Sequence, residues 1–172
     1  MHRTKVVFVI GQLTHGGAER QLIELVKKNK NHAICQLIDG NMFEEEIKKN
    51  KILTFNLNLK KNIFAIIRLY KLFKIIKSYK PDIINTWMYH SSFLEVVLRK
   101  ITFTNKIPLI WGLRCSNMET HYYSKFLSFF IMGCKYFSTI PNLIINNSIE
   151  GKKFHKSIGF KNKNIVIHNG ID

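Results

Sequence analysis

The stretch KVVFVIGQLTHGGAER, residues 5–20, decides the architecture of the chain. Its first part, Lys5–Gly11, holds five apolar residues in a row (Val6 to Ile10) with no polar alternation, the pattern of a strand buried on both faces. A turn containing Gly16 and Gly17 follows, and Ala18–Lys28 then spaces Leu22, Leu25 and Val26 along one helical face. Strand, glycine turn and amphipathic helix in that order begin a parallel, helix-covered sheet.

The same alternation continues to the end. Strands are predicted at Ala33–Ile38, Ile52–Leu57, Asp82–Trp87, Pro108–Leu113, Leu143–Asn147 and Asn164–His168. Helices are predicted at Phe43–Asn50, Asn62–Tyr79, Ser91–Thr102, Tyr122–Phe137 and Ile149–Ile158, the second stopping before Pro81. The expected fold class is α/β: one Rossmann-like domain over residues 1–172, with a doubly wound parallel sheet of about seven strands. In such sheets ligands sit outside the carboxyl ends of the strands, where strand order reverses. The loops at 12–17, 39–42, 58–61, 87–91, 112–121, 147–150 and 168–172 therefore carry the chemical reading.

Composition narrows the class. The 172 residues are 46% hydrophobic, which excludes a disordered chain. Charge is lopsided, with 27 Lys and Arg against 11 Asp and Glu, and most of the excess lies beyond residue 60. That field attracts anions such as phosphorylated substrates, anionic lipid or nucleic acid. Twenty-two of the cations are Lys and five are Arg, whereas base-edge reading favours the Arg fork; specific nucleic-acid binding is not expected. Cys35, Cys115 and Cys134 are widely spaced, without a CxxC or a Cys/His cluster. Neither a zinc site nor a disulfide framework is expected, and a reducing cytoplasmic compartment fits. Val6–Ile10 is too short for the core of a signal peptide, and Phe126–Met132 is far too short to span a bilayer.

Three loops hold candidate chemistry. Gly16 and Gly17 would let backbone amides approach a phosphate at a helix amino end, or form a plain tight turn. After the fourth strand come Trp87, Met88, Tyr89, His90, Ser91 and Ser92. His90 reads as a general acid/base or hydrogen-bond donor to a ligand, or as a capping histidine, and Ser91 or Ser92 as a helix N-cap. After the fifth strand, Arg114 reads as an anion-binding cation or as half of a salt bridge, and Cys115 as a bystander.

The segments GGAER, KPDIINTW, IPLIWGLR, LIINNS and the closing NIVIHNGID, in this order, resemble the N-terminal domain of family-4 glycosyltransferases. The resemblance runs from Lys5 to Asp172. It implies half of a retaining, metal-independent GT-B enzyme whose second, donor-binding domain is absent from this chain, so that the chain alone is inactive. By that resemblance Gly16 and Gly17 form the donor phosphate loop, and His90 and Arg114 are catalytic. Trp87, Tyr89 and Asn147 line the acceptor side, and Asn169 and Gly170 form the interdomain hinge. Many members have His where Arg114 stands, and the family's paired glutamates of the second domain have no counterpart here. No cofactor and no metal are implied, and a nucleotide-sugar is the donor, held by the missing domain or a partner chain.

The acceptor would be lipid-linked or a cell-surface glycan. A basic helix with its preceding loop, carrying Lys60, Lys61, Arg68, Lys71, Lys74 and Lys77, is the expected membrane or anion patch, or else a solvated face of a sheet-covering helix. Its apolar positions, Ile63, Ile66, Ile67, Tyr70 and Phe73, follow helical spacing, and Leu69, Leu72 and Ile76 widen the face. The aromatic stretch His121–Phe137 is a second candidate for contact with lipid. These readings place the protein in the cytoplasm, with a peripheral position on the inner membrane face. The alternative function is a non-catalytic membrane- or partner-binding protein of the same shape.

Overall fold

The computed structural model describes residues 4–59, 65–102, 106–114 and 124–170, with backbone alone at 65–68. Seven strands, β1 (Val6–Ile10), β2 (Ala33–Gln36), β3 (Leu53–Asn56), β4 (Ile83–Trp87), β5 (Leu109–Leu113), β6 (Leu143–Asn146) and β7 (Asn164–Val166), form one all-parallel sheet. Six helices alternate with them: α1 (Gly17–Lys27), α2 (Glu44–Lys49), α3 (Ala65–Tyr79), α4 (Met88–Thr102), α5 (Lys125–Tyr136) and α6 (Ile149–Ser157). The strand order is β3-β2-β1-β4-β5-β6-β7. The chain therefore reverses direction across the sheet between β1 and β4, whose carboxyl ends flank the expected crevice.

The doubly wound, seven-stranded sheet agrees with the pattern read from the sequence. Every residue of β1 is buried, as the unbroken apolar run requires. Two cores lie on the two faces. Phe8, Ile10, Leu22, Ile23, Val26, Phe43 and Ile47 belong to one, beneath α1 and α2. Val7, Val9, Leu72, Ile76, Val96, Trp111 and Phe130 belong to the other, beneath α3, α4 and α5. Alternate residues of β1 thus feed opposite cores, as the pleat demands. Burial of each large aliphatic side chain contributes about 1.5–3 kcal/mol.

Three local expectations are corrected. The loop predicted at 87–91 is absent: the chain turns from β4 straight into α4 through Met88, at a left-handed φ of 69°. Ser91 and Ser92 are consequently inside the first turn rather than at the N-cap. Their hydroxyls donate back to the carbonyls of Trp87 and Met88, the local bond that Ser makes readily within a helix. β3, found where a strand was predicted, is an edge strand with an exposed burial pattern. On α3 the inward face is Leu69, Leu72, Ile75 and Ile76, whereas Tyr70 is 49% exposed. Tyr70 does not meet the sheet, and the side chains of Ile63, Ile66 and Ile67 lie outside the described residues.

A buried pair in α4 departs from simple apolar packing. Glu95 and Arg99 are almost fully buried and pair at 3.3 Å, with Arg99 also donating to the carbonyl of Ile107 at 2.7 Å. Desolvation pushes the Glu95 carboxyl up, opposed by the Arg99 charge. The pair clamps α4 to the segment that enters β5.

Candidate functional site

At the carboxyl end of the sheet, strand pairing brings distant residues together. Trp87 at the end of β4 is registered against Gly112 of β5, two residues before Arg114. The Arg114 guanidinium carbon lies 4.1 Å from the Trp87 ring centre, within cation–π range. Arg114 Nη1 donates to Asn169 Oδ1 at 2.6 Å, while Nε is buried without a hydrogen-bond partner. Desolvation holds the guanidinium below its ordinary pKa, without approaching neutrality in physiological water. Among the described residues no carboxylate pairs with it. A half-buried cation without a counter-charge among the described residues, oriented by an indole, is an arrangement suited to an anionic group of a ligand.

The expected residues separate into those that join this cluster and those that do not. Trp87 joins it, but with 1% exposure it is the floor beneath the guanidinium and not a surface that touches an acceptor. Tyr89 is corrected: it is 1% exposed, and its hydroxyl is hydrogen-bonded to His155 Nε2 at 2.5 Å, so it locks α4 to α6 and does not line an acceptor site. Asn147 follows β6 and is half-buried, with Oδ1 lacking a partner among the described residues. Asn169 takes the Arg114 hydrogen bond, and the Gly170 carbonyl accepts from Gln21 Nε2 of α1 at 2.6 Å. The segment expected to be a hinge is thus tied at two points to the carboxyl edge.

His90 stands in the first turn of α4, outside the Arg114 cluster. Its ring is 4.4 Å from that of Phe130 and 6.0 Å from that of Phe126, centre to centre. Burial among these rings lowers its pKa, so it is neutral at physiological pH. Cys115 lies outside the described residues.

Gly16 and Gly17 sit at a separate, open cleft of about 530 Å³, with His15, Arg20, Met42, Phe43 and Glu46. Gly16 is the N-cap of α1 and no side chain caps that end. A Cβ at Gly16 would lie 2.1 Å from Glu19 Oε2, so only glycine lets the Glu19 carboxylate fold over the turn. There it accepts from the Thr14 hydroxyl at 3.3 Å and meets the positive end of the helix.

The cleft wall was not foreseen. Arg20 pairs with Glu24 at 2.5 Å and Glu46 at 2.6 Å, and Lys27 bridges the same two carboxylates at 3.1 and 2.7 Å. The Lys27 ammonium holds the Glu46 carboxyl below its usual range. This network joins α1 to α2 across 26 residues of sequence, a distance at which no periodic signal operates.

Of the expected basic patch, Lys71, Lys74 and Lys77 are exposed on α3. Lys71 donates to the Asn56 carbonyl at 3.2 Å and Lys74 lies 5.5 Å from the Tyr70 ring centre. Lys60, Lys61 and the side chain of Arg68 lie outside the described residues. Among the described residues no cluster of His, Cys, Asp and Glu could hold a metal ion, and no helix is long and apolar enough to cross a membrane.

The fold matches known proteins. The crystal structure of Anabaena Alr3699/HepE in complex with UDP superposes with a TM-score of 0.80 and 17% identity over 98% of this chain and 45% of that one. UDP-GlcNAc 2-epimerase from Neisseria meningitidis, bound to UDP-GlcNAc, gives 0.64 at 18% identity over 96% of this chain and 47% of that one. These likenesses establish the shared fold. In sequence, the uncharacterized glycosyltransferase MJ1059 of Methanocaldococcus jannaschii is 32% identical over 136 residues, 72% of this chain. The chain spans 33% of the length of that relative and 45% of HepE. The profile of Glycosyltransferase Family 4 matches residues 15–172, which include the glycine turn, the Arg114 cluster and the closing Asn169-Gly170 segment, and the chain belongs to that family.

Proposed function

We propose that this chain is the acceptor-binding half of a retaining glycosyltransferase. A sugar would pass from a nucleotide-sugar to a lipid-linked or cell-surface glycan without a metal ion. The observation that carries this reading is Arg114, a cation held by Trp87 and Asn169 at the carboxyl edge of the sheet, with no carboxylate partner among the described residues. The family membership and the UDP held by HepE support it.

In this reading the donor's phosphates face the uncapped end of α1 at Gly16 and Gly17 from across a cleft closed by a second domain. The leaving diphosphate develops negative charge as the glycosidic bond breaks, and fixed cations and amide dipoles favour that state. Arg114 stabilises this charge or an anionic group of the acceptor. His90, neutral and half-buried, is available to donate to a sugar hydroxyl. Asn169 and Gly170 connect the two halves. The protein acts in the cytoplasm, at the inner face of the membrane, and this half alone turns over negligibly.

The test is sugar transfer from a panel of radiolabelled nucleotide-sugars to a membrane extract, using the protein expressed from its own gene. Arg114→Ala should lower kcat/KM by roughly 10²–10³ with the circular dichroism unchanged. An unaltered kcat/KM would overturn the reading. A second reading, a non-catalytic membrane- or partner-binding protein, is favoured by the apolar outer face of α5. It requires that no nucleotide-sugar is consumed.

A further inference from the structure

Helix α5 is apolar on both sides. Its inner side is explained: Phe130, Ile131 and Cys134 are buried, and Gly133 lets the Phe93 ring of α4 approach so closely that a Cβ would lie 2.4 Å from it. Its outer side is left largely open, although Phe126 and Phe129 also touch neighbouring rings of α4 and α5. Phe126, Phe129, Met132 and Tyr136, spaced three, three and four residues apart, are 55%, 60%, 63% and 79% exposed. That spacing keeps one face over the full helix, a stripe about 15 Å long at 1.5 Å per residue. Isolated exposed apolar residues need no account, but a continuous stripe does.

The charge around the stripe selects its occupant. α5 has Lys125 and Lys135 and no acidic residue, and Lys100 of α4 lies 5.2 Å from the Phe137 ring centre at its far end. A second copy would set lysines against lysines across the stripe. An anionic bilayer offers the opposite charge and an apolar layer within reach of short insertion. The first stripe residue, Phe126, also packs on His90, one turn beyond the carboxyl end of β4.

We propose that the outer face of α5, rather than the lysine face of α3, is the docking surface for an anionic lipid membrane. Phe126, Phe129, Met132 and Tyr136 enter the interface and Lys125, Lys135 and Lys100 meet the headgroups. This deepens the proposed function and rests on it in one respect: the stripe starts beside the crevice, where a lipid-linked acceptor would leave the bilayer.

Flotation of the protein expressed from its own gene, with phosphatidylcholine vesicles containing or lacking phosphatidylglycerol, tests the proposal. Binding is expected only with phosphatidylglycerol, and salt should weaken it. Phe129→Glu/Met132→Glu should lower partitioning at least about tenfold, with circular dichroism unchanged. Phe129→Gln/Tyr136→Gln, which adds no charge, should lower it in the same direction. The Lys71→Glu/Lys74→Glu variant of α3 should lose less than the α5 variants. Absence of binding to anionic vesicles at low salt would overturn the proposal. So would α5 variants that bind normally, or variants whose only effect is to dissociate a dimer on a sizing column. Transfer to a detergent-dispersed acceptor separates the two failures: intact transfer without vesicle binding removes the membrane surface and leaves the enzyme, and vesicle binding without transfer does the reverse.

Discussion

Replacing His155 with Gln should flatten the acid side of the stability curve of this protein. His155 of α6 is fully buried against the rings of Tyr89, Phe154 and Phe160, and its Nε2 is bonded to the Tyr89 hydroxyl. Burial pushes its pKa from 6.5 down to about 4, against a weaker opposing pull from the Gly151 backbone. The unfolded chain therefore takes up this proton first. The contribution is whole above pH 6.5 and is lost as the pH falls towards about 4. A shift of that size is worth about 3 kcal/mol at ~1.4 kcal/mol per unit. For a domain of this length it amounts to roughly 6–12 °C in Tm. Gln keeps an acceptor for the Tyr89 hydroxyl and does not titrate. Thermal unfolding followed by circular dichroism at closely spaced pH values should show the wild type losing about 3 kcal/mol more than the variant across this window. A residual slope will remain, because burial also lowers the pKa values of His32 and His90 and the Lys27 pair lowers that of Glu46, all acting in the same direction. Parallel curves for the two proteins would refute the assignment.

Other perturbations have equally definite outcomes. Glu95→Ala leaves Arg99 charged and buried and should cost about 3–5 kcal/mol in urea unfolding, whereas Glu95→Leu/Arg99→Met should recover most of that loss. Arg114→Lys keeps the charge but loses the planar stack on Trp87 and the aim at Asn169, so its kcat/KM in the transfer assay should resemble that of Arg114→Ala. Gly133→Ala gains about 1 kcal/mol of helix propensity but drives its Cβ into Phe93, whose ring is hemmed in by Phe129, Phe130 and Phe137. Overpacking of about 1–3 kcal/mol should win, and a Tm at or above wild type would show that the ring can move aside.

Period and composition determined the class of this fold. The unbroken run Val6–Ile10 pointed to a strand covered twice, and its recurrence between amphipathic helices to a parallel sheet. All seven strands stand where the apolar runs are, and the ordered motifs led to the family that the profile match establishes. These signals are local: each depends on residues within one strand, one turn or a few helical turns. What each loop residue does is decided by neighbours that local pattern does not contain. Trp87 and Tyr89 were read alike, as aromatic residues on one loop, yet a left-handed turn at Met88 sends Tyr89 into the interior against His155, 66 residues away. The sequence did not show that Arg114 stacks on Trp87 and bonds to an asparagine 55 residues later, contacts set by the pairing of β4 with β5 and by the position of β7. The network of Arg20, Glu24, Lys27 and Glu46 depends on α1 and α2 lying side by side on one face of the sheet. The aromatic stretch 126–136 had the same helical spacing whether its faces met core or solvent. Only the packing of α5 on α4 through Gly133 and Phe93 chose which rings were buried and which four side chains were left outside.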